Sequence, residues 1–182
     1  MRHDQIEAQK ARLLEPFVPS RATVLDLACG GGDFLAHVLA PREPFAHAVG
    51  IDVSARALDR ARSTGRYGRL IQANIDEVGQ HVSEMFSLVM LGEVLYYLAD
   101  YVEPLAAAVD RLESGGVLFL SLALGSRFFA ATDIAVIKAY LRGRGLSLLL
   151  DRSLDYTTLF GLPRRYLPLY HQTHKQILIY GA

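Results

Sequence analysis

The chain has 182 residues, 51% hydrophobic and 21% charged, a balance that fits one folded domain over 1–182 and excludes a disordered chain. Lys plus Arg and Asp plus Glu each number 19, so the net charge is zero, which argues against a protein that grips long nucleic acid by neutralising phosphates. Cys29 is the sole cysteine, so no intrachain disulfide can form, and no run approaches the ~18 apolar residues that would span a membrane.

The N-terminal run MRHDQIEAQKARLLEPF has no apolar core of a signal peptide, so a cytoplasmic location is expected. Residues 5–15 read as a short helix ended by Pro16 and Pro19. Thr23 to Ala28 is an apolar, β-branched run and predicts a buried strand. Gly30, Gly31 and Gly32 then force a turn, and Phe34, Leu35, Val38 and Leu39 follow at helical spacing. Ala46 to Ile51 predicts a second strand ending at Asp52. Ser54 is a good N-cap for a helix with Leu58 and Ala61 inward and Arg56, Asp59 and Arg60 outward.

Arg69 to Ala73 and Phe86 to Leu91 read as the third and fourth strands. Asp100 with Glu103 has capping-box spacing, and Leu105, Val109 and Leu112 continue that helix on one face until Gly115-Gly116. Val117 to Leu124 predicts a fifth strand, and residues 132–142 a helix with Ile134, Ile137 and Leu141 on one side. Leu146 to Leu150 and Lys175 to Tyr180 complete the strands with no helix evident between them. Strand–helix alternation implies an α/β fold, a doubly wound and mostly parallel sheet of seven strands. The missing last crossover implies that the final strand runs antiparallel.

In such a sheet ligands bind at the carboxyl ends of the strands. Gly30-Gly31-Gly32 sits there, where glycines let a backbone turn tightly and a ligand approach. Asp26 lies in an otherwise apolar strand, and a buried carboxylate needs a partner. A cofactor amino group or the loop's own amides would supply one. Asp52 ends strand 2, where an acid can accept two ribose hydroxyls or favour the following helix N-terminus. The dinucleotide fingerprint G-x-G-x-x-G requires glycine where Leu35 stands, which weakens a nicotinamide oxidoreductase.

The segment DLACGGG resembles motif I of class I S-adenosylmethionine-dependent methyltransferases, with Ala28 in place of the first glycine. VGIDVS, QANID, FSLVMLGEVLYYL and ESGGVLFLS resemble that family's later motifs in order. The resemblance covers roughly residues 5–125, and GEVLYYL is most similar to small-molecule N-methyltransferases of the nodulation protein S type. It implies a Rossmann-like methyltransferase fold with S-adenosyl-L-methionine as cofactor. It also implies cofactor contacts at Asp26, Ala28, Gly30, Gly32, Asp52, Val53, Asn74, Ile75 and Gly92, with Asn74 toward the adenine.

Methyl transfer from a sulfonium needs alignment, and a base only when the nucleophile must lose a proton. Glu93 and Tyr97, after strand 4, are the candidate catalytic residues, and Tyr96 a candidate substrate contact. Tyr97 stands where related enzymes often have His, and an unperturbed phenol pKa of ~10 makes a weak base. An amine or amino-sugar acceptor is therefore expected over a hydroxyl. Between the last two strands, residues 152–173 read as a lid, binding loop or homodimer contact. That stretch holds Tyr156, Arg164, Tyr166 and Tyr170, which with Arg127 would meet a small-molecule substrate. His171 and His174 lack Cys or acidic partners, so no metal site is expected. The alternative function is a non-catalytic, cofactor-binding partner or activator of the same fold.

Overall fold

The computed structural model describes residues 2–39, 47–123, 131–155 and 174–182. Helix α1 (Arg2–Leu14) runs into a 3-10 turn (Glu15–Phe17) that contains Pro16. Strand β1 (Thr23–Leu27), helix α2 (Asp33–Leu39), strand β2 (His47–Asp52), helix α3 (Ala55–Ser63) and strand β3 (Arg69–Gln72) then alternate. A short turn of helix, α4 (Val78–His81), leads to β4 (Phe86–Gly92). Helix α5 (Val102–Val109), β5 (Leu112–Ala123), α6 (Ala131–Gly143), β6 (Ser147–Asp155) and β7 (His174–Gly181) complete the order.

The sheet has seven strands in the order β3-β2-β1-β4-β5-β7-β6. β1, β2, β3, β4 and β5 pair in parallel, while β7 is antiparallel to both β5 and β6. Both sheet faces are covered, as alternation requires. On one face Leu25, Leu27, Val49, Ile51, Leu118 and Leu120 pack with Leu105 of α5 and Ile137 and Leu141 of α6. On the other, Val24, Leu88, Met90, Phe119, Ile177 and Ile179 pack with Ala11 and Leu14 of α1 and Leu35 and Val38 of α2. Period-two pleating puts Asp26 of β1, Ser121 of β5 and Lys175 of β7 on this second face.

Ser54 caps α3 as its sequence position predicts, accepting from the Ala57 N–H at 3.2 Å, with Leu58 and Ala61 buried and Arg56, Asp59 and Arg60 exposed. Four other expectations are corrected. The Asp100–Glu103 capping box does not form: α5 starts at Val102, and Asp100 Oδ1 accepts from the Val102 N–H at 2.9 Å in a local turn. Leu112 belongs to β5, not to the helix, which ends at Val109. Gly115-Gly116 lies inside β5, where the register with β4 shifts and Gly115 has a φ of +76°. Arg152 is likewise a residue of β6, opposite Ile177, because the strand continues to Asp155.

Candidate active site

The parallel strands end along one edge, and β7 begins there. The loop after β1 turns back on itself: Ala28, Gly30 and Gly32 have φ of +59°, +54° and +80°. These are three alternate left-handed residues, and only glycine takes that conformation without strain. Ala28 therefore carries a cost of about 1 kcal/mol or more that a glycine would not. The turn is tied by the Cys29 N–H to the Ile51 carbonyl (2.9 Å) and by the Gly32 N–H to the Cys29 carbonyl (3.0 Å). Around the missing Cβ of Gly30 there is open space to 4 Å, and the same is true of Gly92 across the edge. A Cβ at Gly32 would instead strike Cε2 of Tyr67 at 2.8 Å.

Tyr67 runs beneath the loop to reach Asp26. Its hydroxyl donates to Asp26 Oδ2 at 2.6 Å. Asp26 is 5% exposed. Burial drives its carboxyl up to about 7, the Tyr67 hydrogen bond opposing, with Asp52 and Glu7 adding to the rise and Lys10 opposing it. Its partner among the described residues is thus the Tyr67 side chain, not a loop amide. Asp26 Oδ1 takes no donor among the described residues.

Asp52 closes β2. Its Oδ2 accepts from the Gly30 N–H at 2.8 Å and its Oδ1 from the Ser54 N–H at 2.9 Å. One carboxylate thus fixes both the glycine loop and the start of α3, and each oxygen keeps a further lone pair for a ligand hydroxyl. Val53 beside it is exposed. Asn74 is exposed at the end of β3, its N–H donating to Glu77 Oε2 at 3.0 Å. Ile75 turns its side chain into the core, so it offers a ligand only its backbone.

The end of β4 is built differently. Glu93 has a φ of +61° and its N–H donates to the Ser121 carbonyl at 2.9 Å. That backbone turn drives its carboxylate beneath α1. Oε1 accepts from Lys10 Nζ at 3.3 Å and from the Ser121 hydroxyl, and Oε2 accepts from the Tyr96 hydroxyl at 2.8 Å and from Lys175 Nζ. Four donors fill its lone-pair positions. Burial alone would raise this carboxyl, but the Lys10 and Lys175 ammonium groups overcome it and hold the carboxyl below the usual range. Lys10 is 1% and Lys175 5% exposed. Burial lowers the Lys175 ammonium despite its pairing with Glu93. Lys10 also pairs with Glu7 at 2.9 Å.

The two tyrosines that follow have opposite surroundings. Tyr96 is 3% exposed and Tyr97 61% exposed, with ring centroids 4.4 Å apart. Tyr96, expected as a substrate contact, is thus buried, while Tyr97 is the exposed ring of the two. The Tyr96 hydroxyl spends its proton on Glu93, and the Tyr97 ring packs against the Tyr96 ring. Burial and the nearby Glu93 charge push the Tyr96 hydroxyl far above its ordinary range.

Arg127, Tyr156, Arg164, Tyr166, Tyr170 and His171 lie outside the described residues. Sequence reasoning missed Lys10, Lys175, Ser121 and Tyr67. A signal existed for three of them. Lys10 falls between Ile6 and Leu14 on the apolar face of α1, Ser121 interrupts an apolar strand, and Lys175 opens one. Tyr67 had none. Among the described residues no group of His, Cys, Asp and Glu is arranged to hold a metal ion. Nor is any helix among them long and apolar enough to cross a membrane.

A family model described as a methyltransferase domain matches residues 25–118. The mitochondrial ubiquinone biosynthesis O-methyltransferase of Candida albicans is 32% identical over 120 residues, 63% of this chain and 36% of the relative. A trans-aconitate 2-methyltransferase of Deinococcus radiodurans is 37% identical over 111 residues, 59% of this chain and 41% of the relative. The chain thus spans less than half the length of these curated relatives. In fold it is similar to the N-methyltransferase NodS of Bradyrhizobium japonicum, solved with S-adenosyl-L-homocysteine. The TM-score is 0.72 at 22% identity, covering 97% of this chain and 85% of that one.

Proposed function

This chain belongs to the methyltransferase domain family, and from that membership we propose that it binds S-adenosylmethionine across the ends of β1, β2 and β3. We further propose that it methylates a small molecule at the end of β4, an amine or amino sugar in preference to a hydroxyl. The residues suit the cofactor. Open space over Gly30 and Gly92 leaves room for close approach. Asp52 has lone pairs for two ribose hydroxyls, exposed Asn74 lies on the adenine side, and Asp26 is an acid for the amino group. Val53, the Ile75 backbone, Ala28 and Gly32 complete the cradle. When bound, the cofactor supplies a methyl group on a positively charged sulfur, open to in-line attack.

The observation that carries the choice of acceptor is the saturation of Glu93. A carboxylate that already accepts from Lys10, Ser121, Tyr96 and Lys175 has no position left for an incoming proton. Glu93 therefore acts by orientation. It fixes the Tyr96 hydroxyl and so the ring against which Tyr97 packs, and the exposed Tyr97 hydroxyl oxygen stands at the mouth. That oxygen can accept from the N–H of a neutral amine and aim the nitrogen. A hydroxyl acceptor would need a base, and none is presented at the β4 end by the described residues.

Methyl-labelled S-adenosylmethionine offered with a panel of amines, amino sugars, phenols and carboxylates tests this. Label in amine products is expected. Label confined to oxygen acceptors overturns the preference. Binding of the cofactor with no transfer to any class favours the partner or activator alternative.

A further inference from the structure

We propose that Tyr67 is a positioning residue for the cofactor: by donating to Asp26 it keeps that carboxylate charged and aimed at the cofactor's ammonium group. This rests on the reading of Asp26 given above.

Two independent features of the geometry carry it. The first is the hydrogen bond, 2.6 Å from the Tyr67 hydroxyl to Asp26 Oδ2, made across 41 residues of chain. The second is that the fold makes way for the ring. A Cβ on Gly32 would lie 2.8 Å from Tyr67 Cε2, and a Cβ on Gly50 would meet Leu70 Cδ2 at 2.8 Å and both Cys29 Sγ and Tyr67 Cε1 at 2.9 Å. Glycines on two different elements thus border the ring, whose only polar atom ends on Asp26. The hydrogen bond occupies Oδ2 and leaves Oδ1 for a ligand.

The charges around Asp26 show why such a donor is needed. Asp52 lies at the end of β2 and Glu7 on α1, both opposing a negative charge on Asp26, while Lys10 on α1 favours it. Cys29 and Asp33 lie close enough to act on Tyr67 itself. Lys10 is already committed to Glu7 and Glu93. The Tyr67 hydroxyl is thus the only direct hydrogen-bond donor to Asp26 among the described residues. A hydrogen bond to the charged form favours that form, so removing it shifts ionisation to higher pH. Burial sets the starting point near neutrality, with the Asp26 carboxyl at about 7. Loss of the hydroxyl would then leave much of the protein with a protonated Asp26 at neutral pH, unable to attract an ammonium group.

The test is the affinity for S-adenosyl-L-homocysteine, measured by calorimetry from about pH 5.5 to about pH 8.5, for wild type, Tyr67→Phe and Asp26→Asn. Wild-type affinity is expected to fall on the acid side of about pH 7. In Tyr67→Phe the fall should begin about one pH unit higher, giving a loss of about tenfold near pH 6.5 that closes by about pH 8.5. Asp26→Asn should bind weakly with a flat profile, and adding Tyr67→Phe to it should change little. A Tyr67→Phe profile that superimposes on wild type, whatever happens to its melting temperature, shows that the ring only fills space and overturns the proposal. Strong binding by Asp26→Asn with an unchanged profile overturns the reading of Asp26 beneath it.

Discussion

The ends of β1 and β4 each carry an acid turned to the same face of the sheet, Asp26 buried and two residues before the left-handed Ala28, Glu93 half-buried and itself left-handed, yet the two acids are handled in opposite ways. Asp26 meets one neutral hydroxyl and other acids, and burial raises its carboxyl to about 7. Glu93 meets two ammonium groups and two hydroxyls, and they hold it ionised. Pairs of acids driven apart by their surroundings mark a division of labour. An acid short of positive charge is ready for a cationic ligand. An acid already neutralised is a hub that orients what is bound to it. The strain at Ala28 and Glu93 fits this picture, because unusual backbone persists where the neighbouring structure holds it in place.

The comparison breaks most visibly at Glu93. Glu93→Gln takes from buried Lys175 its counter-charge and leaves buried Lys10 with Glu7 alone, and a loss of about 3 kcal/mol is expected in urea denaturation near neutral pH, with loss of methyl transfer. The sign follows from the lowered carboxyl. Its contribution is present above the ordinary carboxylate range and disappears as acid protonates the folded protein, so wild type and variant should converge below about pH 4. A variant as stable as wild type at neutral pH would contradict the hub.

Asp26→Asn should act in the other direction. The raised carboxyl means that the unfolded chain gives up its proton first, so stability falls between about pH 4 and about pH 7. The apoprotein variant should be more stable than wild type by up to about 4 kcal/mol near pH 8, with the gain shrinking toward acid. Equal melting curves at both ends of the range would remove the contrast between the two acids. Gly32→Ala should lose about 1–3 kcal/mol, since it adds both a strained φ and a collision with Tyr67. Pairing it with Tyr67→Ala should recover the collision part. The smallest effect is expected for Ala28→Gly, a gain of at most about 1 kcal/mol from relieved strain, offset by a freer unfolded chain.

The fold was largely legible in the sequence, because each strand and most helices rest on local periodicity and turn residues. The seven-stranded sheet with its reversed β7 follows from alternation and from the missing last crossover. What local patterns misjudged lies at element ends. The capping spacing at Asp100 gave way to a one-residue turn, and Gly115-Gly116 became an irregularity within β5 instead of a break before it. The site was half legible. Gly30, Gly32 and Asp52 lie together because the motif that contains them is short or falls at adjacent strand ends. The partners of the two acids come from far along the chain, 41 residues for Tyr67 and Asp26 and 83 for Lys10 and Glu93. No local periodicity encodes a contact of that kind. A lysine on the apolar face of α1 and a serine inside β5 say only that something polar must await them.

The division between a cofactor end and an acceptor end is tested most directly by calorimetry with S-adenosyl-L-homocysteine on wild type, Asp52→Ala and Tyr97→Phe. Loss of the ribose hydrogen bonds in Asp52→Ala should weaken binding by about 30-fold or more, while Tyr97→Phe should bind within about twofold of wild type. Equal affinity of wild type and Asp52→Ala would contradict the account.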